Sequence, residues 1–191
     1  MENNVNASAI ISDASQEEEH SPFYIENKTI CQEWEAFISQ LDGSIKGSFS
    51  SWSIRLYADI PRQENWKVDI RKSSLSNTSL LIAPEKNVIE QTIFEVSDLY
   101  LGEFNIKIWE SNIWNSLRQK VNPSINRLSE HLLIAKKGSP NQRGLEFIER
   151  IRQVPLEYKL ASLAYMPAQK ELKITFNSIL RDYKWIESIV G

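Results

Sequence analysis

Two strand-like runs meet at Leu101-Gly102, inside the stretch Thr92–Trp114, where β-branched and aromatic residues predominate. In the second run, Phe104, Ile106 and Ile108 alternate with polar residues. A period of two is typical of a strand with one face in the core and the other in water. Beyond residue 110 the apolar residues recur every four positions, which is the spacing of a helix. The pattern therefore predicts strands before this junction and mostly helices after it.

The chain before this junction has the pattern of an antiparallel hairpin. On both sides of a turn that contains Pro61, apolar residues alternate with polar ones. Pairing Ala58 with Val68 keeps the apolar side chains on one face and sets Asp59 opposite Lys67 on the other face. Opposite charges directly across a strand pair stabilise such a register. The sequence therefore predicts this pairing.

An amphipathic helix is predicted further upstream, over Ile30–Leu41, because apolar residues recur there with a period of 3.6. Thr29 and Gln32 have the spacing of a capping box at its start, and Gly43 suits the position just after its last turn. Between the first hairpin and the Leu101-Gly102 junction, a further strand is predicted at residues 79–83, followed by a loop.

Helical spacing continues from residue 113 to residue 137 and is interrupted at Pro123, which has no backbone N–H to donate. The motif Lys136-Lys137-Gly138-Ser139-Pro140 has the composition of one helix end followed by another helix start, with Ser139 as the N-cap. A helix is then predicted over Gln142–Val154. The last strands form a predicted hairpin, and a short capped helix closes the chain.

Together these elements predict an α+β fold in a single domain: a mostly antiparallel sheet, made of a first meander plus a C-terminal hairpin, with helices packed on one face. Residues 1–22 are rich in Asn, Ser and Glu and contain the run Glu17-Glu18-Glu19. Such a composition is typical of a disordered acidic tail. The domain is then residues 23–191, long enough to bury a core without disulfides.

Charge and targeting patterns exclude several classes of protein. The net charge of −3 and the pI of about 5.6 disfavour nucleic-acid binding, because phosphate contacts need clustered Lys and Arg. No secretory pattern and no run of about 20 apolar residues occurs, so we expect no transmembrane segment and a cytoplasmic location. Cys31 is the single cysteine, which excludes an internal disulfide. Its place in the first turn of the predicted helix favours a thiolate, although a lone cysteine is more often a small buried residue.

The chain has no motif typical of nucleotide-binding loops, serine-hydrolase elbows, zinc peptidases or calcium loops. Its two histidines, His20 and His131, are far apart and have no cluster of ligands beside them in sequence. We therefore predict no catalytic residue, no metal site and no cofactor, and an enzyme is disfavoured. Acid and base chemistry on carboxylates stays open, because it can leave no local signature.

One candidate binding site is basic. Lys136 and Lys137 precede a predicted helix start, Arg143 lies in the first turn of that helix, and His131 lies beside the preceding helix. Free amides at a helix N-terminus together with nearby cations bind phosphate or carboxylate. This grouping predicts a small-molecule or anion-binding domain, which could include an enzyme, as the alternative function. Ordinary helix capping explains the same residues.

The other candidate site is aromatic. The predicted register puts Arg55, Tyr57 and Asp69 on the polar face of the first hairpin, and Trp109 falls on the face opposite Ile108. Exposed aromatic side chains mark contacts with other proteins. If helices cover both faces of the sheet, Trp109 belongs to the core instead. The leading interpretation is a non-catalytic protein-binding module, such as an assembly factor, adaptor or inhibitor.

Overall fold

The computed structural model describes residues 9–75, 87–111, 122 and 124–191. These residues form ten strands and three helices. The strands are β1 (Ile10–Ser12), β2 (Ser44–Phe49), β3 (Ser53–Pro61), β4 (Asn65–Leu75), β5 (Asn87–Val96), β6 (Gly102–Glu110), β7 (Ile125–Arg127), β8 (Leu132–Pro140), β9 (Leu160–Met166) and β10 (Glu171–Phe176). The helices are α1 (Pro22–Gln40), α2 (Gln142–Arg152) and α3 (Tyr183–Val190).

All ten described strands belong to one sheet, in the order β1-β2-β3-β4-β5-β10-β9-β6-β8-β7. The neighbouring strands are antiparallel except at the β1 edge, where Ile10–Ser12 runs parallel to β2. The C-terminal hairpin β9–β10 lies between β5 and β6 and so joins the first meander to the rest of the sheet. The predicted α+β class with a mostly antiparallel sheet is confirmed.

Alternation in the sequence explains which strand residues enter the core. In β3 every second residue from Ile54 to Ile60 is buried and the residues between them are exposed. One core cluster contains these residues together with Trp34 of α1, Phe147 of α2 and Ile186 of α3. A fully buried aromatic side chain removes about 150–250 Å² from water and contributes roughly 4–6 kcal/mol before entropy is subtracted.

The register of the first hairpin is confirmed. Ala58 pairs with Val68, and Asp59 pairs with Lys67. A further strand, β2, precedes this hairpin and pairs with β3. The sequence did not indicate β2, because Gly47 and the serines of this segment weaken its strand pattern.

The prediction that residues 1–22 are a disordered tail is wrong for its described part. Residues 10–12 form β1 and residues 18–20 a 3₁₀ turn. Helix α1 begins at Pro22, where the Ser21 hydroxyl accepts a hydrogen bond from the amide of Phe23 at 3.3 Å. The helix therefore starts eight residues before Ile30, since Ser at the N-cap and Pro in the first turn initiate it. The Thr29 hydroxyl instead donates to the Ile25 carbonyl inside the helix.

Asp42, and not Gly43, takes the left-handed conformation after α1, with φ of 55°. The Gly43 amide donates to the Ile38 carbonyl at 2.9 Å, and the Asp42 amide donates to Ser39 at 3.2 Å. This is the paired hydrogen-bond pattern that closes many helices. Asp tolerates the left-handed region better than most residues, so glycine is not required there.

The predicted helix over residues 125–137 is wrong, because the described residues there form the hairpin β7–β8. Leu132, Leu133 and Ile134 are consecutive and all buried, whereas a helix lying on a core would bury residues three or four apart. Strand β8 pairs with β6 on one side and with β7 on the other. The apparent helical spacing of Ile125, Leu128, Leu132 and Ala135 is therefore coincidental.

The predicted helix boundary at residues 136–142 is also displaced. Lys136 to Pro140 continue β8, and the N-cap of α2 is Asn141, whose side-chain oxygen accepts from the Gly144 amide at 2.8 Å. Gly138 has a positive φ of 96° within the strand, and a Cβ there would lie 2.3 Å from the Glu103 carbonyl oxygen. A close approach of two strands, and not a helix end, therefore explains this glycine.

The second predicted hairpin is confirmed as β9–β10, joined by residues 167–170. Asp182 caps the last helix, through a hydrogen bond from the Trp185 amide at 3.1 Å. The strand predicted at residues 79–83 and the helix predicted at residues 113–121 lie outside the described residues.

Candidate functional site on the outer face of the sheet

The strand residues that point away from the core cluster form the outer face of the sheet. Directly paired residues on neighbouring strands lie on the same face, so the registers can be followed from strand to strand. One such row contains both aromatic residues that the sequence singled out. This Tyr57 row consists of Lys46, Tyr57, Asp69, Ile93, Thr175, Ser162, Trp109, Leu133 and Arg127.

The two aromatic residues of the row are far apart and differ in exposure. Tyr57 is 41% exposed. Trp109 is half-buried, and its neighbour Leu133 is fully buried at 0% exposure. Five strand spacings separate Tyr57 from Trp109, a distance of about 24 Å at about 4.8 Å per strand. The row is therefore open to solvent near β3 and covered near β8.

A shallow depression of about 580 Å³ surrounds the open end of this row. We call it the Tyr57 groove. Side chains from five strands line it, namely those of β2, β3, β4, β5 and β10. The lining includes Lys46, Tyr57, Asp69, Ile93 and Lys173.

Charged residues alternate in sign along one side of the Tyr57 groove. Asp59 lies opposite Lys67, Lys67 lies opposite Glu95, and Glu95 lies opposite Lys173. The Lys173 ammonium is 2.5 Å from the Glu95 carboxylate. Each charge therefore has an opposite charge directly across from it, as expected for a solvent-exposed antiparallel face.

On the other side of the Tyr57 groove, the Asp69 carboxylate neutralises the charge of Arg71. The Arg71 guanidinium donates from Nε to Asp69 Oδ1 at 2.9 Å and from Nη2 to Oδ2. This two-point contact raises the pKa of Arg71, the hydrogen bond being the largest cause. Arg55 lies directly opposite Arg71 and is exposed. Three of the four residues predicted to bind a partner, namely Arg55, Tyr57 and Asp69, thus lie together, while Trp109 lies at the covered end.

The four residues of the predicted anion site are not brought together. Lys136 and Lys137 are neighbours in β8, so their side chains point to opposite faces of the sheet. Arg143 makes a two-point contact with Glu64, at 2.5 and 2.8 Å, which raises the pKa of Arg143. The Nε2 atom of His131 is 3.1 Å from the Val154 carbonyl oxygen. Two of the four side chains therefore have partners elsewhere in the fold.

Cys31 is buried in the middle of α1 and is not in its first turn. Burial, with a smaller contribution from Glu35, raises the pKa of its thiol from 9.0 to about 12. Only the thiolate is a good nucleophile. The interpretation of Cys31 as a small buried residue is therefore correct.

A second exposed patch was not indicated by the sequence. The rings of Phe23 and Trp52 stack at 6.3 Å and are 41% and 47% exposed, and Val88 nearby is 43% exposed. In the sequence, the alternation of Ile54, Leu56 and Ala58 extends back to Trp52 and predicts it on the apolar face, but this residue lies in the bend before the strand. Only knowledge of where β2 ends could have revealed its exposure.

The described part of the chain contains no group of three or more His, Cys, Asp or Glu residues placed to hold a metal ion. None of its helices has both the length and the apolar character needed to cross a bilayer. No protein-family model matches the chain, and no curated protein matches it either.

Proposed function

We propose that this protein is a non-catalytic protein-binding module, such as an assembly factor, adaptor or inhibitor, and that the Tyr57 groove is its docking surface. The supporting observation is the position of Tyr57. This aromatic side chain is 41% exposed on the outer face, between charged residues of both signs. Tyrosine is enriched in interfaces because it offers a large apolar ring at a low cost in side-chain entropy.

Rigid strands position the groove. Tyr57 is central in β3, and its backbone neighbours pair with β2 and β4 on either side. Ile93 is half-buried on the same row and adds apolar surface beside Asp69. A partner would therefore meet a preorganised surface, and binding would require little ordering of the protein.

The alternative, a small-molecule or anion site at Lys136, Lys137, Arg143 and His131, has less support. Its residues are distributed over the bend before β8, both sheet faces of β8 and helix α2, and the Arg143 charge is engaged by Glu64. Anion binding of the predicted kind needs cations that converge on one point. The Tyr57 groove is therefore the better candidate.

Trp109 has a different role in this proposal. It is half-buried beside the fully buried Leu133, so its ring packs against the protein itself. We assign docking to Tyr57, Arg55 and Asp69, and packing to Trp109.

The test is a comparison of immobilised wild type, Tyr57→Ala and Tyr100→Ala in a lysate of the source organism. Tyr100 is a matched control because it is 45% exposed, against 41% for Tyr57, and lies in a loop outside the groove. The proposal predicts a stoichiometric protein that binds wild type and Tyr100→Ala but is lost with Tyr57→Ala. All three proteins should unfold cooperatively and at similar melting temperatures.

Two outcomes would contradict the proposal. One is a partner retained in full by Tyr57→Ala. The other is a partner lost with Trp52→Ala and not with Tyr57→Ala, which would move the docking surface to the patch at Phe23 and Trp52.

A further inference from the structure

Positive charge is left over at one side of the Tyr57 groove, where Arg71 lines the depression and Arg55 lies beside it, outside the lining. Arg55 and Arg71 are direct cross-strand neighbours on β3 and β4, with Cβ atoms about 4.5–5.5 Å apart. Like charges in this arrangement destabilise a sheet. Asp69 binds the guanidinium of Arg71, so the charge of Arg71 is compensated and that of Arg55 is not.

Lys46 adds a further positive charge at the same place. It lies directly opposite Tyr57 on β2 and is exposed. Among the described residues, neither Lys46 nor Arg55 forms an ion pair. Next to Tyr57, the cations Lys46, Arg55 and Arg71 therefore outnumber the carboxylate of Asp69. Asp59, two residues from Tyr57 on the same face, lies directly opposite Lys67.

This excess of positive charge is local, whereas the molecule as a whole is negatively charged. The whole chain has a net charge of −3, and the opposite side of the same groove alternates strictly from Asp59 to Lys173. A nucleic-acid surface would need cations spread over a large area. A small cluster of cationic side chains beside an exposed aromatic ring is complementary to one or two carboxylates next to an apolar side chain.

We infer that the partner of the Tyr57 groove presents an acidic segment, in which Asp or Glu side chains pair with Arg55 and Lys46 while an adjacent apolar side chain packs on Tyr57. This inference rests on the proposed function, since it names the chemistry of the protein that docks there. Arg55 supplies a planar donor for a two-point contact with a carboxylate. Its guanidinium, unlike that of Arg71, has no carboxylate partner among the described residues.

The test uses three fluorescein-labelled peptides of equal length, in which leucine alternates with Glu, Gln or Lys. Their affinities for the full chain are measured by fluorescence anisotropy at low and at physiological salt. We expect the Glu peptide to bind at least about tenfold more tightly than the Gln peptide, and the Lys peptide to bind most weakly. The preference for Glu should decrease as salt rises.

Variants that remove a positive charge test which residues bind the Glu peptide. Arg55→Gln should weaken binding of the Glu peptide by about fivefold and the Lys46→Gln, Arg55→Gln double variant by more than about tenfold. Lys67→Gln is the matched control, because it also removes one positive charge, at a groove lysine set between Asp59 and Glu95. It should lower the affinity by less than Arg55→Gln does.

The outcomes separate this inference from the proposed function. If the Glu and Gln peptides bind equally and Tyr57→Ala abolishes both, the groove is a docking surface but the acidic partner is wrong. If no peptide binds, the acidic partner is wrong, and the docking surface is decided by whether the captured partner is lost with Tyr57→Ala. If Tyr57→Ala has no effect on peptide binding, both proposals fail. Tighter binding of a single-stranded oligonucleotide than of the Glu peptide, with the same dependence on Arg55, would overturn the acidic partner in favour of nucleic acid.

Discussion

At the scale of single residues, surroundings decide which chemistry is available. Cys31 is an example: burial, and to a smaller extent Glu35, raise the pKa of its thiol to about 12. The sequence contains the residue but not the helix start at Pro22, so it could not distinguish a first-turn cysteine from a buried one. The same holds for Arg143, because Glu64 is 79 residues away in the chain.

We predict that Cys31 is unreactive in the folded protein. At pH 8, a thiol reagent should label it only at the rate of unfolding, and full labelling should follow the addition of denaturant. The thiol loses its proton more readily in the unfolded chain. The free energy of unfolding should therefore be unaffected below pH 9, near the ordinary value of 9.0, and should fall as the pH rises towards about 12. Rapid stoichiometric labelling of the native protein would contradict this account.

Gly138 gives a prediction about backbone conformation. Its φ is 96°, and a Cβ would meet the Glu103 carbonyl oxygen at 2.3 Å. We therefore expect Gly138→Ala to lower the free energy of unfolding by about 1–3 kcal/mol in denaturant titration. The neighbouring Ser139→Ala is the control, since Ser139 is exposed. Equal stability of the two variants would show that the strand can move away from β6.

At the scale of elements, local patterns were reliable where one face of a strand is buried. The pairing of Ala58 with Val68 followed from alternation and charge, and it was correct. The sequence pattern predicted a helix where the structure has strand β8, in which Leu132 and Leu133 are both fully buried. A strand buried on both faces has no alternation, so its apolar residues can mimic a helix.

Helix α3 depends on the Asp182 cap. The Asp182 carboxylate accepts from the Tyr158 hydroxyl at 2.6 Å and from the Trp185 amide at 3.1 Å. The Tyr158 hydrogen bond is the largest cause that lowers the pKa of Asp182. Because the folded state holds the carboxylate charged, this contribution to stability is present above about pH 4 and is lost as the pH falls through the lowered pKa.

We predict that Asp182→Ala destabilises the protein by about 1 kcal/mol at pH 7, since an N-cap is lost. Asp182→Asn should retain most of the cap, because its side-chain oxygen can still accept from the Trp185 amide. Thermal melts of both variants at pH 7 and pH 3 provide the measurement. The difference between wild type and Asp182→Asn should shrink at pH 3. A difference that stays constant would mean that the carboxylate charge does not contribute.

At the scale of the whole molecule, the sheet connects segments that are distant in sequence. The C-terminal hairpin β9–β10 is inserted between β5 and β6, and only this insertion places Tyr57 and Trp109 on one row. Sequence reasoning placed each residue on the correct face but could not determine the order of the strands. It therefore could not show that the two lie at opposite ends of the row, one open and one covered.

This arrangement predicts different effects for the two aromatic residues. Trp109→Ala should lower the free energy of unfolding by about 2 kcal/mol, since the packing of a half-buried indole is lost. Tyr57→Ala should change it by less than about 1 kcal/mol, as is usual for an exposed position. Urea titrations of the two variants compare them directly. A larger loss for Tyr57→Ala would make the groove a structural feature and not a binding one.

The most direct test of the central claim is hydroxyl-radical footprinting of the protein with and without its captured partner. We predict that oxidation of Tyr57 falls strongly in the complex, while oxidation of the similarly exposed Tyr100 is unchanged. Equal oxidation of Tyr57 in the free and bound states, or protection confined to Phe23 and Trp52, would contradict the claim that the outer face at Tyr57 is the docking surface.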